Sequence, residues 1–404
     1  ILGGLNEGVW PPQTQNDPWL SRPMRSGVGL SPPERRVGLA AQDFCGAFAS
    51  KEVLLVRASR VGGAPTVASR WLQRLTALVG EERTRTLRRR GEHYLDWARR
   101  IDQPLAVSPC ARPDPKPPIA ARPRRLSITE IEHWVRDPYT IYARHVLRLE
   151  PLDPLDAEPG GAERGTLIHE ALNRFARKTC EAWPEDAASL LLAEGRALFE
   201  AYRDYPAFTA YWWPRFERIA AWFCGFEPAR RDGCAALHVE IQGEIAFDAP
   251  AGPFTLRGRA DRIDLRADGT LAILDYKTGR PASPKEVRAG LAPQLALEAA
   301  MARRGAFDPA FKDRSVGELA FVRLSGGEPA GEHKPCTWDR QGVTIDDVAE
   351  EAWQRLTELV ARFDDPEQGY LAMPHPQFRL AYGAYDHLAR VREWSETGGV
   401  ELDR

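Results

Sequence analysis

The sequence contains no Cys-x-x-Cys pair. Its six cysteines, Cys45, Cys110, Cys180, Cys224, Cys234 and Cys336, stand far apart. That scatter argues against a disulfide framework and a cysteine-type zinc site, and predicts reduced thiols in a cytoplasmic protein. No apolar run approaches the length of a membrane span, so no membrane partner is expected. A dominant charge sign is missing too. The 404 residues carry 55 basic and 57 acidic side chains for a net charge of −2, so only local patches can argue for nucleic acid. A GxxxxGK[ST] phosphate loop is absent, and no ATP site is expected in these residues. The opening "ILGGLNEGVW" has no initiator Met and no basic-then-apolar leader and begins in the middle of a strand-like pattern, so the chain is read as the C-terminal part of something longer.

What is present can build sizeable cores: 43% hydrophobic residues and twelve tryptophans. The length predicts two or three units. Up to residue 107, "PPERRVGLAAQDFCGAFAS" and "WLQRLTALV" read as helices and "EVLLVRAS" as a buried strand. Residues 108–125 hold six prolines and read as an extended linker. Beyond it, "SITEIEHWVRDPYTIYARHVL" and "ERGTLIHEALNRFARK" read as helices, the second with Ile168, Ala171, Leu172 and Phe175 on one face. A Trp- and Arg-rich helical region follows. The period then changes to alternation, and "ALHVEIQGEIAF", "FTLRGRADRIDLR" and "TLAILDYKTG" read as three strands. "LAPQLALEAAMARRG" is expected as a helix, "ELAFVRLS" as a strand and "DDVAEEAWQRLTELVARF" as a helix.

The chemistry lies in the hairpin from Gly258 to Arg280. Asp268-Gly269 is a turn signal. A three-residue loop, Ala267 to Gly269, with Gly269 left-handed, pairs Arg266 with Thr270 and sets Asp261 opposite Asp275. Lys277, two residues along, shares that face. A two-residue loop would send the aspartates to opposite faces. Like charges directly opposite destabilise a sheet and oppose joint ionisation. A divalent cation removes both difficulties, and hard oxygen ligands without a thiolate suit Mg²⁺, or Mn²⁺ in its place. Such an ion lowers the pKa of bound water, and Lys277 can orient that water and balance charge at phosphorus. The bland alternative is a surface hairpin with Lys277 paired to Asp275.

These residues resemble the RecB-type nucleases of the PD-(D/E)XK family. The matching motifs are His169 in "RGTLIHEAL", Asp261 in "GRADRID", Asp275 and Lys277 in "DYKTG", and Gln294 in "PQLALEA", covering roughly Ser127 to Ser325. The resemblance implies an α/β restriction-endonuclease-like core, a mixed sheet flanked by helices, over residues 126–404. It also implies metal ligation by His169, Asp261, Asp275 and the Tyr276 backbone carbonyl, catalysis by Lys277, and substrate placement by Gln294. Glu298 stands where that family has a tyrosine. Glu240 reads either as an acid behind the ligands or as an edge-strand charge.

"GLNEGVWP" and "PPERRVGLAA" resemble the end of a UvrD-like helicase core. Active members continue into a helix with a "TRA" triplet; "LAAQDFCGAF" replaces it, which implies a helicase-like fold over residues 1–107 without ATPase activity. Together the two segments are similar to the nuclease subunits of the AddAB helicase–nuclease family. That implies a Mg²⁺-dependent, exonuclease-type enzyme in double-strand-break repair, fed a single strand from unwound DNA by an AddA motor subunit. Many members hold an iron–sulfur cluster with four cysteines. Asp137 stands at one of those positions and no cysteine follows Cys336, so no cluster is expected and Tyr385, Leu388 and Trp394 are expected to pin the tail instead. The alternatives are a non-catalytic subunit supporting the motor and a nuclease acting without a partner. "RTRTLRRR" and "ARPRR" have the charge to meet phosphates, the first being read rather as a solvated face. Trp212-Trp213 has the chemistry to stack bases but is read as core.

Overall fold

The computed structural model describes residues 1–13, 19–106, 110–152, 155, 157–338, 342–375, 377 and 383–395. The chain divides into two compact units, Ile1–Ser108 and Pro109–Arg404. Ser108, expected to open the linker, and residues 396–404 lie outside the described residues.

The first unit holds α1 (Arg22–Gly27), α2 (Arg35–Phe48), a short hairpin of β1 (Arg60–Val61) and β2 (Ala64–Pro65), and α3 (Arg70–Asp102). α2 starts after Pro32-Pro33, where a missing N–H costs nothing. Its core is Leu2, Leu5 and Phe44, with Trp10, Leu55 and Trp71 against them. "EVLLVRAS" does not form the expected strand. Among the described residues it makes one parallel bridge, Leu2 to Leu55, and its side chains stay half-buried or exposed. Gly80, at φ 77°, breaks α3, and "RTRTLRRR" lies beyond that break almost wholly exposed, as a solvated helix face.

The second unit runs β3 (Arg125–Ser127), α4 (Ile128–Arg136), α5 (Pro138–Ile141), α6 (Gly161–Lys178), α7 (Ala187–Phe199), α8 (Pro206–Arg231), β4 (Cys234–Phe247), β5 (Phe254–Arg266), β6 (Leu271–Lys277), α9 (Pro284–Arg288), α10 (Gln294–Arg303), β7 (Val316–Leu324), β8 (Gly331–Pro335), α11 (Ile345–Phe363) and α12 (Val391–Trp394). The strands form one mixed sheet. β5 is antiparallel to β4 and β6 and parallel to β3; β6 is parallel to β7, and β8 closes the edge antiparallel. β8 escaped the sequence reading because its "GEHKP" is polar, as befits an exposed edge.

Alternation along β6 builds two cores. Leu271 and Ile273 face a layer that includes α4, α10 and α11, with Trp134, Met301 and Leu356. Ala272, Leu274 and Tyr276 face α6, α7 and α8, with Leu172, Phe175 and Phe223. The result is an α/β fold, a mixed sheet between helical layers.

The β5–β6 register is the one the three-residue loop predicts: Arg262 pairs with Leu274, Ile263 with Ile273 and Leu265 with Leu271. Gly269 has φ 85° and donates to the Arg266 carbonyl at 2.9 Å. Only glycine enters that region cheaply. Gly258 and Gly243 pair across β4 and β5 for a different reason. A Cβ on Gly258 would sit 2.7 Å from Ile128 Cδ1, and one on Gly243 2.6 Å from Phe307 Cδ1.

The Pro-rich stretch is not a free linker. Its described residues belong to the second unit. Pro113 and Pro115 cannot donate, but their carbonyls accept from Ala372 and Tyr370 at 2.9 Å each. "ARPRR" is engaged within the fold rather than offered to phosphates. Arg122 is buried and donates to the carbonyls of Pro117, Phe363, Asp365 and Pro366. Arg124 pairs with Asp364, and Arg125 with Glu244.

Asp137 ties down the tail. One of its oxygens accepts from the Met373 amide at 2.9 Å and the other from the Thr140 hydroxyl at 2.7 Å. Tyr385 is buried and donates to the Leu149 carbonyl at 2.6 Å, and Trp394 lies under Arg112. Leu388, expected to help, is exposed: the turn around it buries Tyr385, Ala389 and Val391 instead.

Candidate active site

β6 carries four buried apolar residues, Leu271 to Leu274, before it reaches Asp275, and the site forms where its ladder with β5 ends. The last β5–β6 pair is Arg262 with Leu274. Two residues further along β6, the Tyr276 amide donates to Oδ2 of Asp261 at 2.8 Å, a side chain rather than a carbonyl. Asp261 is thereby fixed at the end of β6. His169, on α6 beside the apolar stripe, brings Nδ1 to 3.5 Å from the same Oδ2 and lies edge-on to the Tyr276 ring.

Glu240 is the acid whose role the sequence left open. Its place in the β4 register is opposite Asp261, and its backbone has φ 52°. Its carboxylate is buried and paired with Arg259. His169, Glu240 and Asp261 each offer a ligand atom, and these atoms lie within 4.8 Å of one another. Three ligand atoms this close together could share one ion. Glu240 therefore stands in the cluster rather than on a solvent-facing edge.

Asp275 belongs to a second, adjoining group. Its Oδ1 accepts from Lys277 Nζ at 3.0 Å and from Gln294 Nε2 at 2.7 Å, while Gln294 Oε1 accepts from Lys277 at 3.0 Å. Gln294 also reaches Glu298 at 3.2 Å. Glu298 is fully buried; the position that carries a tyrosine in the RecB-type motif here holds an acid packed under the site. Asp275 Oδ2 and Glu298 Oε2 are buried without a hydrogen-bond partner, although Lys277 Nζ lies 2.9 Å from the former.

The electrostatics follow from burial. Burial pushes the Asp275 carboxyl up to about 6, against the pull of Lys277. Glu298 is raised well above the carboxylate range by burial and by Asp275. For Asp261 burial also acts upward, but His169 and the Tyr276 amide outweigh it and hold the group low. For Lys277 burial acts downward, and Asp275 more than restores the ammonium. Buried acids therefore outnumber cations here. A doubly charged hard cation suits such a donor set: oxygens, one imidazole and no thiolate.

One supporting layer escaped the sequence reading. Arg262 is fully buried on the face opposite Asp261. It donates to Asp264 at 2.6 Å and to Glu227 at 2.7 Å, while Arg230 bridges Asp264 to Glu318. The signal was the Arg-x-Asp of "DRID" in a strand, where i and i+2 share a face, together with the "EPARR" end of α8.

A cleft of about 710 Å³ opens on the α10 side, lined among others by Arg125, Arg257, Arg259, Gln294 and Glu298. No described helix is long and apolar enough to cross a membrane.

The chain is similar to several known proteins. An uncharacterized protein of Rickettsia conorii is 26% identical over 315 residues, covering 76% of this chain and 36% of that protein. One from Rickettsia bellii is 31% identical over 220 residues, covering 51% and 26% respectively. The chain thus spans about a third or less of the length of these relatives. The crystal structure of SSO0001 aligns with 57% of this chain and 76% of its own at 12% identity, with a TM-score of 0.24. The profile of the PD-(D/E)XK nuclease superfamily matches residues 125–377. That span covers the sheet, both helical layers and every residue of the two acidic groups, and the chain belongs to the PD-(D/E)XK nuclease superfamily.

Proposed function

We propose that the second unit is a Mg²⁺-dependent, exonuclease-type deoxyribonuclease, with Mn²⁺ able to replace Mg²⁺. The observation that carries this is the meeting of Asp261, Asp275 and Lys277 where the β5–β6 ladder ends. His169, Glu240, Asp261, Asp275 and the Tyr276 carbonyl would hold the ion. When bound, it supplies Lewis acidity and an activated water. The chain's own residues do the rest. Lys277 places a positive charge beside the carboxylates, where charge develops on a phosphodiester in flight. Gln294 keeps the Asp275 and Lys277 head groups in register through both ends of its amide. Buried Arg262 keeps β5 and α8 together, so that Asp261 cannot drift.

The wider reading is an AddB-like subunit of a helicase–nuclease that processes double-strand breaks. The first unit would be a helicase-like segment without ATPase activity that docks an AddA motor, and that motor would deliver a single strand to the nuclease. The support is the sequence resemblance of both segments. The exposed apolar side chains of α3, among them Leu78, Trp97 and Ile101, agree with a docking role.

The test is cleavage of end-labelled single-stranded DNA with Mg²⁺, with and without the partner, by wild type, Asp275→Asn and Lys277→Met. The proposal expects both variants to lose at least 10³-fold, the order of a lost charge-stabilising group. Wild-type cleavage no greater than that of the variants would favour a non-catalytic subunit. Cleavage by the chain alone, unchanged by the partner, would favour an independent nuclease.

A further inference from the structure

We propose that Arg164 and Arg215, braced on the ring of Trp212 beside Thr278, form a phosphate subsite for the single-stranded DNA that the nuclease cuts. The inference rests on the nuclease reading and adds where a neighbouring phosphodiester is held.

The sequence treats Trp212 and Trp213 as one core pair, but the structure gives them different surroundings. Trp213 packs against Phe199 at 5.3 Å and Phe216 at 5.8 Å, and donates to Glu217 at 2.8 Å. Trp213 has one guanidinium near its ring, that of Arg196 at 5.4 Å, whereas Trp212 has two, Arg164 at 4.3 Å and Arg215 at 5.1 Å. Arg215 also lies 3.7 Å from the ring of Tyr211, which is 54% exposed.

This patch adjoins the chemistry. Arg164 is on the first turn of α6, five residues before His169, and its Nη2 reaches Thr278 Oγ1 at 3.3 Å. Thr278 follows Lys277 directly.

Its charge is uncompensated. Among the described residues no acid pairs with either arginine, and burial, followed by the neighbouring Arg215, lowers the Arg164 guanidinium from its ordinary value. Nε of Arg164 is buried with no hydrogen-bond partner. Two half-buried guanidinium groups held side by side without a carboxylate are costly in the free protein. A phosphate relieves this at once: it neutralises the pair and accepts from the waiting donors. Trp212 is the positioning residue, since stacking fixes both guanidinium planes before the strand arrives. Exposed Tyr211 offers a face for the adjoining base.

The experiment is equilibrium binding of 5′-fluorescein-dT15 to the full chain by anisotropy, in EDTA and across a salt series. Removing metal separates binding from cleavage. The double variant R164Q/R215Q is expected to bind roughly tenfold more weakly and to flatten the log–log salt slope by about 0.7, the contribution of one single-strand phosphate. Arg215→Lys should retain the slope. Trp212→Ala should weaken binding, and Trp212→Phe should restore it. Millimolar inorganic phosphate should not displace dT15. Unchanged affinity and slope in R164Q/R215Q with a wild-type melting curve would overturn the subsite, as would a wild type that does not bind dT15 or that loses it to phosphate. Binding as expected without cleavage under Mg²⁺ would instead defeat the nuclease reading and leave the subsite standing.

Discussion

The amide of Tyr276 donates to Asp261 Oδ2 at 2.8 Å, two residues along β6 past the last pair of the β5–β6 ladder. A side chain takes over from the main chain where strand pairing stops. It satisfies an amide that would otherwise lack a partner and fixes Asp261 at the end of the strand that bears Asp275 and Lys277. Fold and chemistry thus meet in one hydrogen bond. The cost is a group of buried acids with too few cations, which the fold carries because the surrounding sheet is well packed.

Removing Arg262 should be among the most damaging single changes outside the acids themselves. Arg262→Met leaves Glu227 and Asp264 buried, with only Arg231 and Arg230 as partners. A loss of about 3–5 kcal/mol is expected from breaking such a buried pair. Adding Glu227→Gln should recover part of it, because the stranded charge goes too. Urea unfolding of the two single variants and the double variant gives the coupling energy. Additive losses would contradict the assignment.

Two glycines should respond to alanine with opposite signs. Gly258→Ala puts a methyl group into Ile128, Met301 and Phe307, and overpacking of that kind costs about 1–3 kcal/mol. Gly225→Ala, on an exposed turn of α8 with open space around it, should stabilise by about 0.5–1 kcal/mol. Thermal melts of both variants check the pair, and a stable Gly258→Ala would mean the β4–β5 packing is looser than described.

Acid should unlock the network behind the sheet. Burial acts to raise Glu318, but His333, Arg230 and Arg266 outweigh it and bring the carboxyl down to about 2 from the ordinary 4.5. The folded value lies below the unfolded one, so the stabilisation is complete above about pH 4.5 and is lost as pH falls from there toward about 2. The stability gap between wild type and Glu318→Gln should therefore be constant near neutrality and shrink steadily below about pH 4.5. A gap that widens in acid would reverse the sign and refute the pairing.

Much of this fold was legible in the sequence because period and turn chemistry agreed. The change from helical spacing to alternation marks β4, and Asp268-Gly269 fixed a register that a one-residue slip would have inverted. The helices α6, α10 and α11 were visible for the same reason. What the sequence concealed depended on partners distant along the chain. "EVLLVRAS" has strand composition but finds one bridging partner among the described residues. The Pro-rich stretch looks like a spacer, yet its carbonyls serve residues 370 and 372. Arg122 stands in a run read as able to meet phosphates, and Arg262 drew no reading of its own; both are buried because acids or carbonyls from other elements surround them. At the site, the hairpin turn singled out Asp261, Asp275 and Lys277, and the resemblance to RecB-type nucleases added His169 and Gln294. The place of Glu240 could not be decided, because it depends on the β4–β5 register and on a left-handed backbone that alternation does not reveal.

The central claim is that the buried acids form a divalent-ion site, and isothermal titration of Mn²⁺ into the chain tests it most directly. Wild type should bind the ion with an affinity that Asp261→Asn and Asp275→Asn each reduce at least tenfold while their melting curves in EDTA show a folded protein. No heat from wild type, or binding that survives both substitutions unchanged, would contradict the account.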